Sequence, residues 1–518
     1  MSEIMGRTVW YKMRYTPVRD FLRGRITARL DLRRPLEEAG LPQAINQIIL
    51  EVVSKTRLWR LEKLEVTQEL IAHFSDGIRS GTSPEQLLTT FGDAKQAAKL
   101  IRRAKRRHRA MSWQVSRVAG WAAAAFLIFY GAFAIYFFSG TPSLRIDYLA
   151  RLNQTVEQAP VEGRAWPLYR RALLGLDPVW RKSVPDARLV SQSRRSESQA
   201  YLDTVMQHAA EIEMIREGAS KPTLGFIFGA NGSGYDEELW PEQKRPRVDP
   251  AMGEALARVN IPPINALHNM GAILRADATF ARRDRDGKRL LRDVNSLLGL
   301  SRQVSQSGPL LCGMVALTMY DAALDEIEVT LRKDPALISR EDWIALAHRL
   351  SEARVAGDLI SFDMERLSFE DMLQRSFTDD GLGNGRLTPQ GVQYLSASPG
   401  RQIWMEKPVQ PAAGLLVASR QSIAKRYSIL ADQAATNLRV PMREADWRSA
   451  REYHYSHTSL LASVNRTIAV TFFPAYWKAQ EITERSLGHR DGVLIAITLE
   501  VFRREHGKYP DTLDALVP

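Results

Sequence analysis

Apolar residues recur every three or four positions along most of this chain, as they do in helices that bury one face. Ile45, Ile48, Ile49, Val52 and Val53 form the first such stripe, just after Pro42. A second helix is predicted from Leu58 to Ile78, with Leu61, Leu64, Leu70, Ile71 and Phe74 turned inward. Ser83-Pro-Glu-Gln86 reads as a capping box with proline at the first helical position, and its short helix ends at Phe91-Gly92. Asp93 caps the next helix, which carries Ala97, Ala98, Leu100 and Ile101.

The pattern then changes. Val118 to Phe138 carries no charged residue. As a helix it would extend roughly 31 Å, matching the hydrocarbon core of a bilayer. Trp113 and Trp121 lie toward one end, and Tyr136, Phe137 and Phe138 at the other, as in an aromatic belt. The competing reading, a buried core helix, does not account for the asymmetry of the flanks. Lys99, Arg102, Arg103, Lys105, Arg106, Arg107 and Arg109 crowd one side only. An apolar run that begins this far into the chain does not read as a signal peptide. The positive-inside rule therefore predicts a single pass through the cytoplasmic membrane, with residues 1–117 inside and 140–518 outside. Gly120 and the Ala122–Ala125 run would let two such helices approach, which makes a homo-oligomer an expectation.

Beyond the span the helical period returns with Leu152, Trp166, Leu168, Tyr169, Leu173 and Leu174. Gly-rich residues 224–235 and Pro-rich, charged residues 240–247 read as long loops. Ile261 to Ala281 is periodic again, and Asp284-Arg-Asp-Gly287 breaks it. Further helices are predicted to about Val304, from Leu310 to Leu331, and after Ser339, which caps with Asp342 ahead of Trp343, Leu346, Ala347 and Leu350. Helix pairs at intervals of ~40 residues suggest a solenoid or an irregular bundle. The prediction is a mainly α protein. It comprises a basic segment (1–40), a small cytoplasmic helical domain (41–109), a transmembrane helix (118–138), a looser region (140–260) and an external α-helical domain (261–518).

The formal net charge is +12 over 518 residues. Its densest cluster adjoins the apolar run and lacks interleaved aromatics, so lipid phosphate rather than nucleic acid is the expected partner. Cys312 is the single cysteine and sits in an apolar stretch, which excludes a disulfide within the chain and a thiolate zinc site. Gly229-Ala-Asn-Gly-Ser-Gly234 lacks the Gly-Lys-Ser/Thr end of a phosphate loop. Asp380, Asn384 and Thr388 occupy oxygen-donor positions of a calcium-loop pattern and are candidate metal ligands. Leu382 and Gly391 stand where that loop needs further oxygens, so a purely structural turn competes with it. His73 and Asp76, one turn apart, read as an exposed polar face rather than a phosphotransfer or metal pair, and His454 with His457 and Glu452 reads as a polar helix face because it lacks the zinc-protease spacing. No nucleophile elbow and no dinucleotide fingerprint occur, so no catalytic residue and no cofactor are expected.

Glu69-Leu-Ile-Ala-His-Phe-Ser-Asp-Gly77, Gly81-Thr-Ser-Pro-Glu-Gln-Leu-Leu88 and Phe91-Gly-Asp-Ala-Lys-Gln-Ala-Ala98 together resemble the HAAS-type domain. This is a small helical module at the cytoplasmic N-terminus of many bacterial membrane proteins. The resemblance covers residues 58–105 and implies an interaction module rather than an enzyme. The last 28 residues resemble a segment of pseudopilin-like envelope proteins, with Gly507 as helix cap and Leu513, Leu516 and Val517 folding back. Those relatives continue into a small sheet, so a chain extending past Pro518 is one expectation. The pilin processing signal has no counterpart here. The expected function is a membrane-anchored interaction or scaffold protein with protein partners on both faces, in envelope signalling. The alternatives are a hydrolase-like envelope enzyme with its site between helices, and an accessory subunit of a transporter.

Overall fold

Hydrophobic periodicity becomes helix almost throughout. The computed structural model describes residues 31–107, 111–177, 203, 205–248, 253–260, 263–306, 308–396, 410–448 and 476–516. Among these the chain is helical without a strand, apart from isolated bridges between Arg164 and Thr223 and between Phe377 and Leu387. Residues 1–30, Arg109, the pair His454 and His457 with Glu452, Val517 and Pro518 lie outside the described residues. The chain divides into two units, Met1–Gly131 and Ala132–Pro518.

The first unit contains α1 (Arg34–Glu38), α2 (Gln43–Lys55), α3 (Arg60–Arg79), α4 (Pro84–Phe91), α5 (Ala94–Arg107) and most of α6 (Met111–Phe138). α2 packs against α3 and α5. Ile45, Ile49, Val52 and Val53 of α2 are buried against Val66, Leu70 and Phe74 of α3 and Ala94 and Ala98 of α5. The inward face of α3 differs from the expected one. Glu62, Val66 and Thr67 are buried, whereas Leu61, Leu64 and Ile71 are only half-buried. Glu62 belongs there because its carboxylate accepts the Trp59 N–H at 2.9 Å and closes the start of the helix. Ser83 accepts the Gln86 N–H at 3.3 Å, and Asp93 accepts that of Lys95 at 3.0 Å. Between these caps Gly92 adopts φ 76°, a conformation that a side chain would strain.

The second unit opens with α7 (Tyr148–Gln158) and α8 (Trp166–Gly175), then α9 (Ala209–Ser220). Its main core is built by α10 (Ile264–Arg283), α11 (Gly287–Ser305) and α12 (Leu310–Lys333), each in contact with the other two. α13 (Arg340–Leu350) follows, buried through Trp343, Leu346 and Leu350. The expected cap is in place, Ser339 accepting the Asp342 N–H; at the predicted break Asp286 also caps, accepting the N–H of Arg289. The Gly-rich segment is irregular, as expected, yet Leu224, Phe226 and Phe228 are buried. Asn153 bonds both backbone groups of Phe228 and holds it there.

α14 (Asp363–Ser376), α15 (Pro389–Ser396), α16 (Gln410–Leu416) and α17 (Arg420–Asn437) accompany a second core of Phe369, Met372, Phe377, Leu387, Ile423 and Tyr427. The last helix, α18 (Tyr476–His506), returns to pack on α12 and α13. A solenoid joins only neighbours in sequence, so this long-range closure makes the unit an irregular bundle. Gly507 ends α18 at φ 75°, its N–H reaching the Arg503 carbonyl at 2.8 Å. The short 3-10 turn Leu513–Leu516 touches α18, but Leu513 stays 57% exposed rather than folding into the core.

Candidate functional site

Two features of α6 set it apart. Val118–Phe138 is long and apolar enough to cross a membrane: an 18-residue stretch of it has mean hydropathy 1.9 and none of that stretch is buried. Trp121, Phe126, Leu127, Ile128 and Phe129 are each more than 60% exposed, the greatest being Ile128 at 75%. Apolar surface on this scale marks an interaction with lipid or protein. The second feature is at the far end of the helix. Phe137 is buried in the same core as Phe369, Phe377 and Leu387, with Phe133 packed against it. A Cβ at Gly414 of α16 would lie 2.8 Å from the Phe137 ring, so glycine is what permits that approach. The guanidinium of Arg386 stacks 3.5 Å from the Tyr136 ring centroid and donates to the Tyr136 carbonyl at 2.7 Å. The last turn of α6 is therefore part of the second unit's core rather than a loose tether.

The basic cluster lies on α5. Lys99, Arg103, Arg106 and Arg107 are exposed, and Arg102 and Lys105 half-buried. Lys105 is engaged within the first unit. Its ammonium pairs with Glu65 at 3.0 Å and Glu69 at 2.8 Å, both on α3, and these bonds hold its pKa above the usual lysine value. It ties α5 to α3.

Sequence reading missed the buried charges of the second unit. Asp277 on α10 ion-pairs with Arg216 of α9 and Arg289 of α11. Arg216 also reaches Asp293 of α11 at 2.7 Å. Burial works against the Asp277 charge, but the two guanidinium groups hold its pKa below the usual carboxylate range. Asp293 is fully buried; burial first and then the Asp277 charge push its pKa up to about 8. A signal existed: Asp277 falls on the apolar stripe of α10, one turn from Ile273 and one from Ala281. A second acid, Glu365 on α14, receives the Leu310 N–H at 2.5 Å at the start of α12. Its other oxygen is buried without a hydrogen-bond partner, and burial lifts its pKa to about 7. Cys312 lies close by, fully buried, and burial pushes its thiol up to about 12, which suits an inert core residue.

The candidate metal ligands are spread through the turn before α15. Asp380 spends one oxygen on the backbone N–H groups of Leu382 and Asn384, at 2.9 and 3.0 Å. Thr388 is buried, donates to the Ser376 carbonyl at 3.0 Å and accepts the Gly391 N–H. These bonds shape the turn. Asp325, Glu328 and His489 bring ligand atoms within 4.8 Å of one another. Asp325 meets Arg275 at 3.1 Å, and Glu328 meets His489 at 3.3 Å and Arg332 at 3.7 Å, so ion pairing accounts for the grouping. His73 is exposed beside Phe74 and Phe91.

Fold and site thus define a mainly helical protein with one helix of membrane-spanning length and apolarity. Compared with known proteins, the chain matches no family model, no curated protein and no solved structure.

Proposed function

We propose that the protein is a membrane-anchored interaction or scaffold protein. In this reading α6 crosses the cytoplasmic membrane once, the HAAS-like first unit faces the cytoplasm, and the helical second unit faces outward. The observation that carries it is the contrast along α6: large apolar side chains exposed over most of its length, and Phe137 buried in a folded core at its end. In water such a surface would drive aggregation. In a bilayer it is satisfied, and docking through Phe137 would hold the large unit close to the membrane face. The basic flank supports the assignment of the first unit to the inside.

The test is a pair of topology reporters, fused after Arg109 and after Pro160. The expected result is an inside signal for the first and an outside signal for the second. The same signal from both fusions would make α6 a helix that some other surface covers, and the anchored reading would fall. Partner capture from membranes, with the first unit and the second unit each as bait, then addresses the scaffold role.

A further inference from the structure

Several buried and half-buried arginines of the second unit are matched by acids. Arg216, Arg275, Arg289, Arg375 and Arg490 each ion-pair with an Asp or Glu. Half-buried Arg349 on α13 and exposed Arg302 on α11 are not so matched: among the described residues neither has a carboxylate at ion-pair distance. Arg302 reaches the Lys221 carbonyl at 3.4 Å, and Arg349 the Asn295 side-chain oxygen at 2.6 Å. Both line one pocket of about 120 Å³, together with Ser301, Ser305 and Tyr320. Tyr320 is 5% exposed, and its hydroxyl is buried with no hydrogen-bond partner. The serine hydroxyls already donate, Ser301 to the Ala316 carbonyl and Ser305 to that of Arg302. Acids are present on the rim, but they are exposed. Asp358 is occupied by the N–H groups of Arg354 and Val355, and Glu352 only partly offsets the burial and the Arg302 charge that lower the Arg349 pKa.

Two guanidinium groups face this pocket with only the exposed rim acids Glu352 and Asp358 to offset their repulsion, and a buried hydroxyl without a partner carries a desolvation cost. An anion would relieve both at once. We propose that this pocket binds a small oxyanion, a phosphate or carboxylate group, gripped by Arg302 and Arg349 and hydrogen-bonded by Tyr320. Planar guanidinium forks suit such groups. The volume suits a group of a few heavy atoms, since drug-sized ligands fill roughly 300 Å³ or more.

The experiment uses the full chain in detergent micelles, titrated with inorganic phosphate or sodium acetate against chloride at equal ionic strength. Calorimetry and the thermal midpoint are the readouts. The expected result is a rise in midpoint with phosphate or acetate over chloride, because a ligand that binds only the folded state stabilises it. The stronger of the two identifies the group. Arg302→Gln and Arg349→Gln should each weaken binding about tenfold or more, as loss of a charge-assisted hydrogen bond predicts, and Tyr320→Phe less. Arg302 is exposed, so its variant tests the site without endangering the fold. Arg332→Gln, on a different face, should leave the response unchanged. No rise over chloride with either anion, or an undiminished rise in Arg302→Gln, overturns the proposal.

Discussion

Asp277 is held between Arg216 and Arg289, and its removal would take the closest carboxylate from Arg289 and leave Arg216 to Asp293 and Glu213. Breaking such a network from one side costs more than forming it contributes, because the remaining charges are desolvated and only partly matched. Asp277→Ala should therefore lower the unfolding free energy by about 3–5 kcal/mol, measured by denaturant titration in detergent. A loss under about 1 kcal/mol would mean that the arginines find other partners or water. Glu365 makes a prediction about pH. Its folded pKa of about 7 exceeds the unfolded value of about 4.3, so the folded state holds the proton more tightly. The stability that this carboxyl supports is complete below the unfolded pKa and falls as pH rises toward 7, by at most about 1.4 kcal/mol per pH unit. Glu365→Gln lacks this dependence, so its thermal midpoint relative to the parent should climb between pH 5 and pH 7.5. A constant difference across that range would show that Glu365 titrates as an ordinary surface acid. Neither residue announced its role in the sequence. Asp277 and Glu365 sit among apolar positions, but their partners come from other helices, and the period of one helix cannot name them.

At the scale of elements the sequence was far more legible, because helices are local. Stripes such as Ile45-Ile49-Val52-Val53 and Leu346-Leu350, with caps at Ser83, Asp93 and Ser339, appear in the structure where spacing and side-chain oxygens put them. Errors arose where a polar side chain had a backbone partner. Glu62 caps α3 from within the core, so the buried face is rotated away from Leu61 and Leu64. At Asp380 and Thr388 the sequence offered a calcium-loop pattern beside a structural turn, and in the structure both side chains bond the backbone. The docking of α6 was invisible, since Phe137 reads as one more apolar residue of a span. That contact is testable. Phe137→Ala should destabilise the second unit by about 3–5 kcal/mol, as for other buried phenylalanines. Phe129→Ala, 66% exposed on the same helix, should leave it nearly unchanged in detergent. Equal effects would mean that α6 behaves uniformly along its length and that its last turn is not part of the core.

For the whole molecule the question is what decides orientation, and the basic cluster does not act as one block. Lys105 is committed to Glu65 and Glu69, whereas Lys99, Arg103, Arg106 and Arg107 are exposed on α5. Lysines and arginines beside a bilayer contribute about 1 kcal/mol each through anionic lipid, and orientation follows their excess on the cytoplasmic side. If the anchored reading holds, replacing those four by Gln removes about 4 kcal/mol of that preference. The outside signal of a reporter after Pro160 should then fall toward a mixture of both orientations. Lys105→Gln removes the same formal charge but should act differently, loosening α5 from α3 and lowering the first unit's thermal midpoint while the reporter stays outside. If the fourfold variant keeps its orientation, the charges on α5 are not what positions the chain. The folded second unit, docked on the end of α6, would then be the element to vary next.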